Sequence, residues 1–185
     1  MPGSVLQPVS QPLRPHPTTP GPAGDVLTVD VSQSLAGIEL HYRFHSDLAT
    51  LRLPSPQAAG PADGLWQHTC CEAFIAATAA PSYREFNFSP AGQWAIYRFA
   101  DYLQRDDTDP PPTSLPPIDF SRRPDGFDLR ATIPRLLLPA GPLQLGLSAV
   151  IERADGDKDY WALAHGSEQP DFHLRQTFII HLSPP

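Results

Sequence analysis

Apolar and polar positions alternate in short runs along most of this chain. The densest set lies between Trp66 and Phe99. Three runs there, Trp66–Ala76, Tyr83–Ser89 and Trp94–Phe99, are separated by Ala-Pro-Ser and Ser-Pro-Ala-Gly. Aromatic-rich runs of this length between Pro and Gly breakers predict antiparallel strands joined by tight turns. Gly37–His45 sets Ile38, Leu40, Tyr42 and Phe44 against Glu39, His41, Arg43 and His45, a strand with one wet face. Val26–Val31 is β-branched and reads as an earlier strand; Leu48–Leu53 reads as a short one. Ile118–Ser121 and Phe127–Ile133 flank the hairpin signal Arg-Pro-Asp-Gly, and Arg135–Leu138 reads as a helical turn or edge segment. Leu143–Glu152 is predicted as a central strand, turned back at Asp155-Gly156 into Tyr160–Ala164, with Thr177–Leu182 last.

About ten short strands with no long helical period predict an all-β fold, an antiparallel β-sandwich of the immunoglobulin-like or jelly-roll-like kind. A partly closed barrel is the alternative. Residues 1–24 hold seven prolines, Pro2, Pro8, Pro12, Pro15, Pro17, Pro20 and Pro22. They predict an extended, disordered leader ahead of one domain over residues 25–185. Asp101–Pro117 is acidic and then proline-rich, a long surface loop able to form a lip over a site.

Alternation also sorts candidate chemistry. Trp66 and Glu72 fall on one side of their run, and Glu85 and Asn87 on one side of theirs. With Arg98, these five are expected to line one sheet surface, where a Trp amid carboxylate, amide and guanidinium suits a polar ligand with a flat apolar face. Trp161, also beside polar residues at a strand start, offers a second ring, so that two tryptophans could stack on the two faces of a sugar. The competing reading makes each Trp a core residue, and Trp94 is assigned to the core. Glu72 and Glu85 form a carboxylate pair of the glycosidase type, although pairing with Arg98 or ligand binding is the preferred role.

Other features carry less. His41 and His45 lie about 13 Å apart on a strand, too far to share one ion. Asp155, Asp157 and Asp159 alternate as in a calcium loop, but the glycine is misplaced and no glutamate follows at the right distance. Cys70 and Cys71 are adjacent and have no third cysteine to pair with; one is expected in the core and one on the surface. A net charge of -7 argues against nucleic acid as a partner. No apolar run approaches the ~20 residues needed to cross a bilayer. The start lacks a basic-then-apolar leader, which predicts a cytoplasmic location.

The segments LWQHTCCEAF, YREFNFSPAGQWAIYRF, LGLSAVIE and YWALAH followed by PDFH resemble the bacterial DOMON-like domain proteins, relatives of the family-9 carbohydrate-binding modules. The likeness runs from about Val26 to Leu182. It implies a β-sandwich that binds a sugar or a haem and is not an enzyme. In the sugar-binding relatives two tryptophans sandwich a terminal sugar, with a glutamate six residues after the first; Trp66 and Glu72 have that spacing. The resemblance further implies Trp161 as the second ring and Arg98 at the sugar hydroxyls. Haem branches often use Met and His, and the chain's one methionine is Met1. DOMON domains are usually secreted. The reading taken forward is a non-catalytic module for a saccharide or sugar-like metabolite, with Trp66, Glu72, Glu85, Asn87, Arg98, Trp161 and His165 as site residues. The alternatives are a haem- or cofactor-binding module using His165 or His68 beside a redox partner, and a protein-interaction module.

Overall fold

The structure, a computed structural model, describes residues 9–108, 110 and 112–183. These residues form thirteen strands and no α-helix. Strand β1 spans Val9–Pro15, β2 Val26–Ser34, β3 Gly37–His45 and β4 Gly60–Pro61. The middle of the chain supplies β5 (Cys70–Ala77), β6 (Tyr83–Phe88), β7 (Gln93–Asp101) and β8 (Gln104–Arg105). The remainder supplies β9 (Asp119–Arg123), β10 (Gly126–Pro134), β11 (Leu143–Glu152), β12 (Lys158–Ala162) and β13 (Ile180–Leu182). Four single 3₁₀ turns occupy Leu48–Thr50, Leu65–Gln67, Arg135–Leu137 and Arg175–Thr177.

The strands join into one continuous sheet in the order β4-β7-β6-β5-β11-β12-β1-β2-β3-β10-β9, with β13 on β11 and β8 on β7. Every pairing is antiparallel except β4 with β7. The sheet curls into a half-barrel, so the expected pair of separate sheets gives way to a single curved one. The join is β1: Val9–Leu13 pair with β2 and Arg14–Pro15 pair with β12. The proline-rich segment is therefore not a leader over this range; residues 1–8 lie outside the described residues. Only one edge of β1 is paired over Val9–Leu13, the setting in which a strand tolerates Pro12.

Curling brings the β2-β3-β10 limb against the β6-β5-β11-β12 limb, and their facing side chains form the main core. Leu27, Val29, Leu40, Tyr42 and Phe44 meet Cys71, Ala73, Ile75, Phe86, Leu145 and Leu147 there. The Tyr42 hydroxyl donates across the gap to the Glu72 carbonyl at 2.6 Å. Leu48–Thr50 is a turn rather than a strand, because Asp47 Oδ1 caps Ala49 N–H at 2.9 Å.

A second apolar layer lies on the other face of β5, β6 and β7, made by Phe74, Ala76, Tyr83, Ala95, Tyr97, Phe99 and Phe178. The chain after β12 folds over this face. Gly146 admits it, since a Cβ there would strike the Phe178 ring at 2.7 Å. Arg175 holds it down by donating to the carbonyls of Ala77 at 2.7 Å and Ala80 at 3.1 Å. Among the described residues no helix is long and apolar enough to cross a membrane.

Candidate functional site

The covering segment leaves part of that outer face open as a groove of about 1050 Å³. Strand alternation sets its floor. On β5, Cys71, Ala73 and Ile75 point into the main core, which turns Glu72 and Phe74 outward to the groove. On β6, Phe86 and Phe88 point in and Glu85 and Asn87 point out; Glu72 is the direct cross-strand partner of Asn87. Tyr97 pairs with Glu85 and adds an aromatic wall, continued by Phe99. Loops supply the remaining sides: Asp63, Gly64 and Trp66 on one, and Asp171, Phe172 and His173 on another.

Trp66 lies at this edge and is 52% exposed. It is carried by a turn rather than by β5. Gly64 adopts φ +69 and starts the Leu65–Gln67 turn, and its N–H donates to the Tyr97 hydroxyl at 3.2 Å. That hydroxyl in turn donates to Asp63 Oδ1, which holds the Asp63 carboxyl below its usual range. Arg105 stands 4.5 Å over the Tyr97 ring and pairs with Asp107 at 2.7 Å, so it is the guanidinium on the groove wall.

The floor is acidic and nearly sealed from water. Glu72 and Glu85 are 2% and 5% exposed, and Asn87 is fully buried. Ser148 Oγ donates to Glu72 Oε2 at 3.2 Å and Asn87 Nδ2 to Glu85 Oε1 at 2.7 Å. Burial first, and then the neighbouring Glu85, push the Glu72 carboxyl well above the usual carboxylate range. Burial pushes Glu85 up to about 7, opposed by the Asn87 hydrogen bond and by Arg105. His173 Nδ1 shares a 2.8 Å hydrogen bond with the Tyr83 hydroxyl; burial lowers its pKa and favours the neutral ring.

Several expected site residues lie elsewhere. Trp161 is 2% exposed, inside the main core, its ring 5.7 Å from that of Phe44. It points inward because its direct partner on β11 is Ala149, itself a core residue. It cannot face Trp66 across a ligand. Arg98 is the cross-strand partner of Arg84, one residue out of phase with Tyr97, so it lies on the opposite face. There it lines a second, smaller cavity of about 340 Å³ with Arg84, Trp94, Leu137 and Pro110 of the acidic, proline-rich loop. That loop therefore serves both sites: Leu103 and Arg105 near its start line the groove, while Asp106, Asp107, Pro110 and Pro112 border this cavity. His165 Nε2 bonds the Arg14 carbonyl at 2.8 Å, its ring 4.8 Å from that of His16, and it does not line the groove.

The haem alternative fails the same geometric test. His68, with Nδ1 2.7 Å from Glu152 Oε2, and His165, held as just described, both lie outside the groove lining, so neither presents an axial nitrogen there. Asp159 is tied to Arg153, which also pairs with Asp25 at 2.6 Å, while Asp155 Oδ1 accepts the Asp157 N–H at 3.0 Å in an exposed turn, so the alternating aspartates do not converge on one site. Among the described residues no group of three His, Cys, Asp or Glu side chains could hold a metal ion. Both cysteines are buried and free, against the expectation of one at the surface. Cys70 is covered by the outer layer and its Sγ donates to Asn87 Oδ1 at 3.6 Å.

Tyr97, Phe99, Arg105, Asp63 and His173 are the groove residues that sequence reasoning missed. Tyr97 and Phe99 were within reach, since matching the phase of the third run to that of the second places them with Glu85. Asp63 and His173 sit on loops and leave no periodic signal.

No family model matches the sequence, and no curated protein matches it significantly. The fold does resemble a solved structure, a "putative carbohydrate-binding protein" from Bacteroides uniformis. The TM-score is 0.65 at 18% identity, over 91% of this chain and 83% of that one. The class defined is an all-β half-barrel with an aromatic and acidic groove on its outer face.

Proposed function

We propose that this protein is a non-catalytic module that binds a saccharide or sugar-like metabolite in the groove. The observation that carries the reading is the exposed Trp66 at the edge of a cavity whose floor holds buried Glu72 and Glu85, with Asn87 bonded to Glu85 beneath it. An exposed indole offers the apolar face of a sugar ring a flat surface. Carboxyl groups in a dry floor exchange strong hydrogen bonds with hydroxyls. The fold likeness to a protein described as carbohydrate-binding supports the same reading, as does the DOMON-like resemblance of the sequence. The expected two-tryptophan clamp is replaced by one tryptophan, with Tyr97 and Phe99 as the other aromatic surfaces.

A non-catalytic role is favoured because Glu72 and Glu85 share one face of the adjacent strands β5 and β6 on the groove floor, whereas a hydrolytic pair flanks the scissile bond. Titration calorimetry with mono- and disaccharides tests the proposal. At least one sugar should bind, and Trp66→Ala should weaken it tenfold or more. Failure of every sugar to bind, or binding indifferent to Trp66→Ala, overturns it.

A further inference from the structure

Two acceptor oxygens on the groove floor have no hydrogen-bond partner among the described residues. Glu72 Oε2 receives Ser148 Oγ, but Oε1 receives nothing. Glu85 Oε1 receives Asn87, while Oε2 has only His173 Nε2 near it, at 3.8 Å and beyond hydrogen-bond reach. Both side chains are more than nine-tenths buried and line the cavity. Arg105, the guanidinium on the wall, is already engaged with the Tyr97 ring and Asp107. Glu72 and Glu85 are diagonal neighbours across β5 and β6, and two buried carboxylates so placed repel unless a cation joins them or one holds a proton.

Resting on the saccharide reading, we infer that the ligand is an amino sugar whose ammonium sits between Glu72 and Glu85. A sugar hydroxyl has a single proton to donate and serves one carboxylate, leaving the other to carry a proton of its own. An ammonium has three donors and a full charge, so it serves both oxygens and neutralises the pair.

Calorimetry on the full chain at pH 7 compares D-glucosamine, N-acetylglucosamine, glucose and ethylamine. Glucosamine should bind at least tenfold tighter than the other three, and the preference should fall to within about twofold in both Glu72→Gln and Glu85→Gln, changes that keep side-chain shape. Glucose or N-acetylglucosamine binding as tightly as glucosamine overturns the inference and leaves the saccharide reading standing. Ethylamine binding as tightly as glucosamine keeps the ammonium position and overturns the saccharide reading. No binding of any of the four overturns both. A preference for glucosamine that survives in both folded glutamine variants moves the cation elsewhere and also overturns the inference.

Discussion

Trp66 and Trp161 show how the same side chain takes opposite roles through its neighbours. Trp161 alternates into a core strand register with Ala149, whereas Trp66 follows Asp63-Gly64, a turn that swings it out of the strand. Trp161→Ala should cost about 3–5 kcal/mol of stability, measured by urea unfolding, through the cavity it leaves. Trp66→Ala should change stability by no more than about 0.5 kcal/mol while weakening sugar binding, because half of the side chain is already in water. The alternation around Glu72, Glu85 and Asn87 was legible in the sequence, since each is flanked by core residues. The face of Arg98 is not legible in the same way: the alternation of its own run does not fix its phase against β6, and a slip of one residue moves a side chain to the other face.

At the scale of elements, the strands with strict alternation were readable nearly to the residue. Gly37–His45 and Leu143–Glu152 coincide with β3 and β11. Segments fixed by tertiary contact were not: Leu48–Thr50 is a capped turn, and β1 pairs only because two distant strands offer it edges. The β5–β6 pair makes a pH prediction. Glu85 titrates near 7 in the folded protein against an ordinary value of 4.5, so between those values the folded state binds more protons than the unfolded one. Stability of the ligand-free protein should thus fall as pH rises from about 4.5 to about 7. Scanning calorimetry should show Tm dropping on the order of 5 °C across that window. Glu85→Gln should shrink the drop without abolishing it, because the buried Glu72 carboxyl is also raised and holds its proton over the same window, while His173, whose pKa burial lowers, opposes the trend. The β7–β8 hairpin has its own constraint: Leu103 sits at φ +53, its N–H donating to the Tyr83 hydroxyl at 3.2 Å, while Tyr102 donates to Asp171 at 2.6 Å. These bonds tie the hairpin to the groove's far wall.

For the whole molecule, β1 is the seam on which curvature depends, since β2 and β12 are joined only through it in the strand order. Deleting residues 1–15 should lower Tm substantially and expose the inner faces, which binding of a hydrophobic dye would report. Replacing Pro12 by Val should be tolerated, as its edge is unpaired. Cys70 and Cys71 are buried, and burial raises both thiols. Neither should react with a thiol reagent until urea unfolds the chain, so the labelling curve should coincide with the unfolding curve.

The distribution of the three tryptophans turns the protein into its own optical probe. Trp94 and Trp161 are packed inside and Trp66 stands in water at the groove. Emission quenched by an aqueous iodide ion therefore comes from one indole, and protection of that signal reads occupancy of the groove directly. A red shift of the remaining emission reads only loss of the interior. One cuvette thus separates a variant that no longer holds its ligand from one that no longer folds.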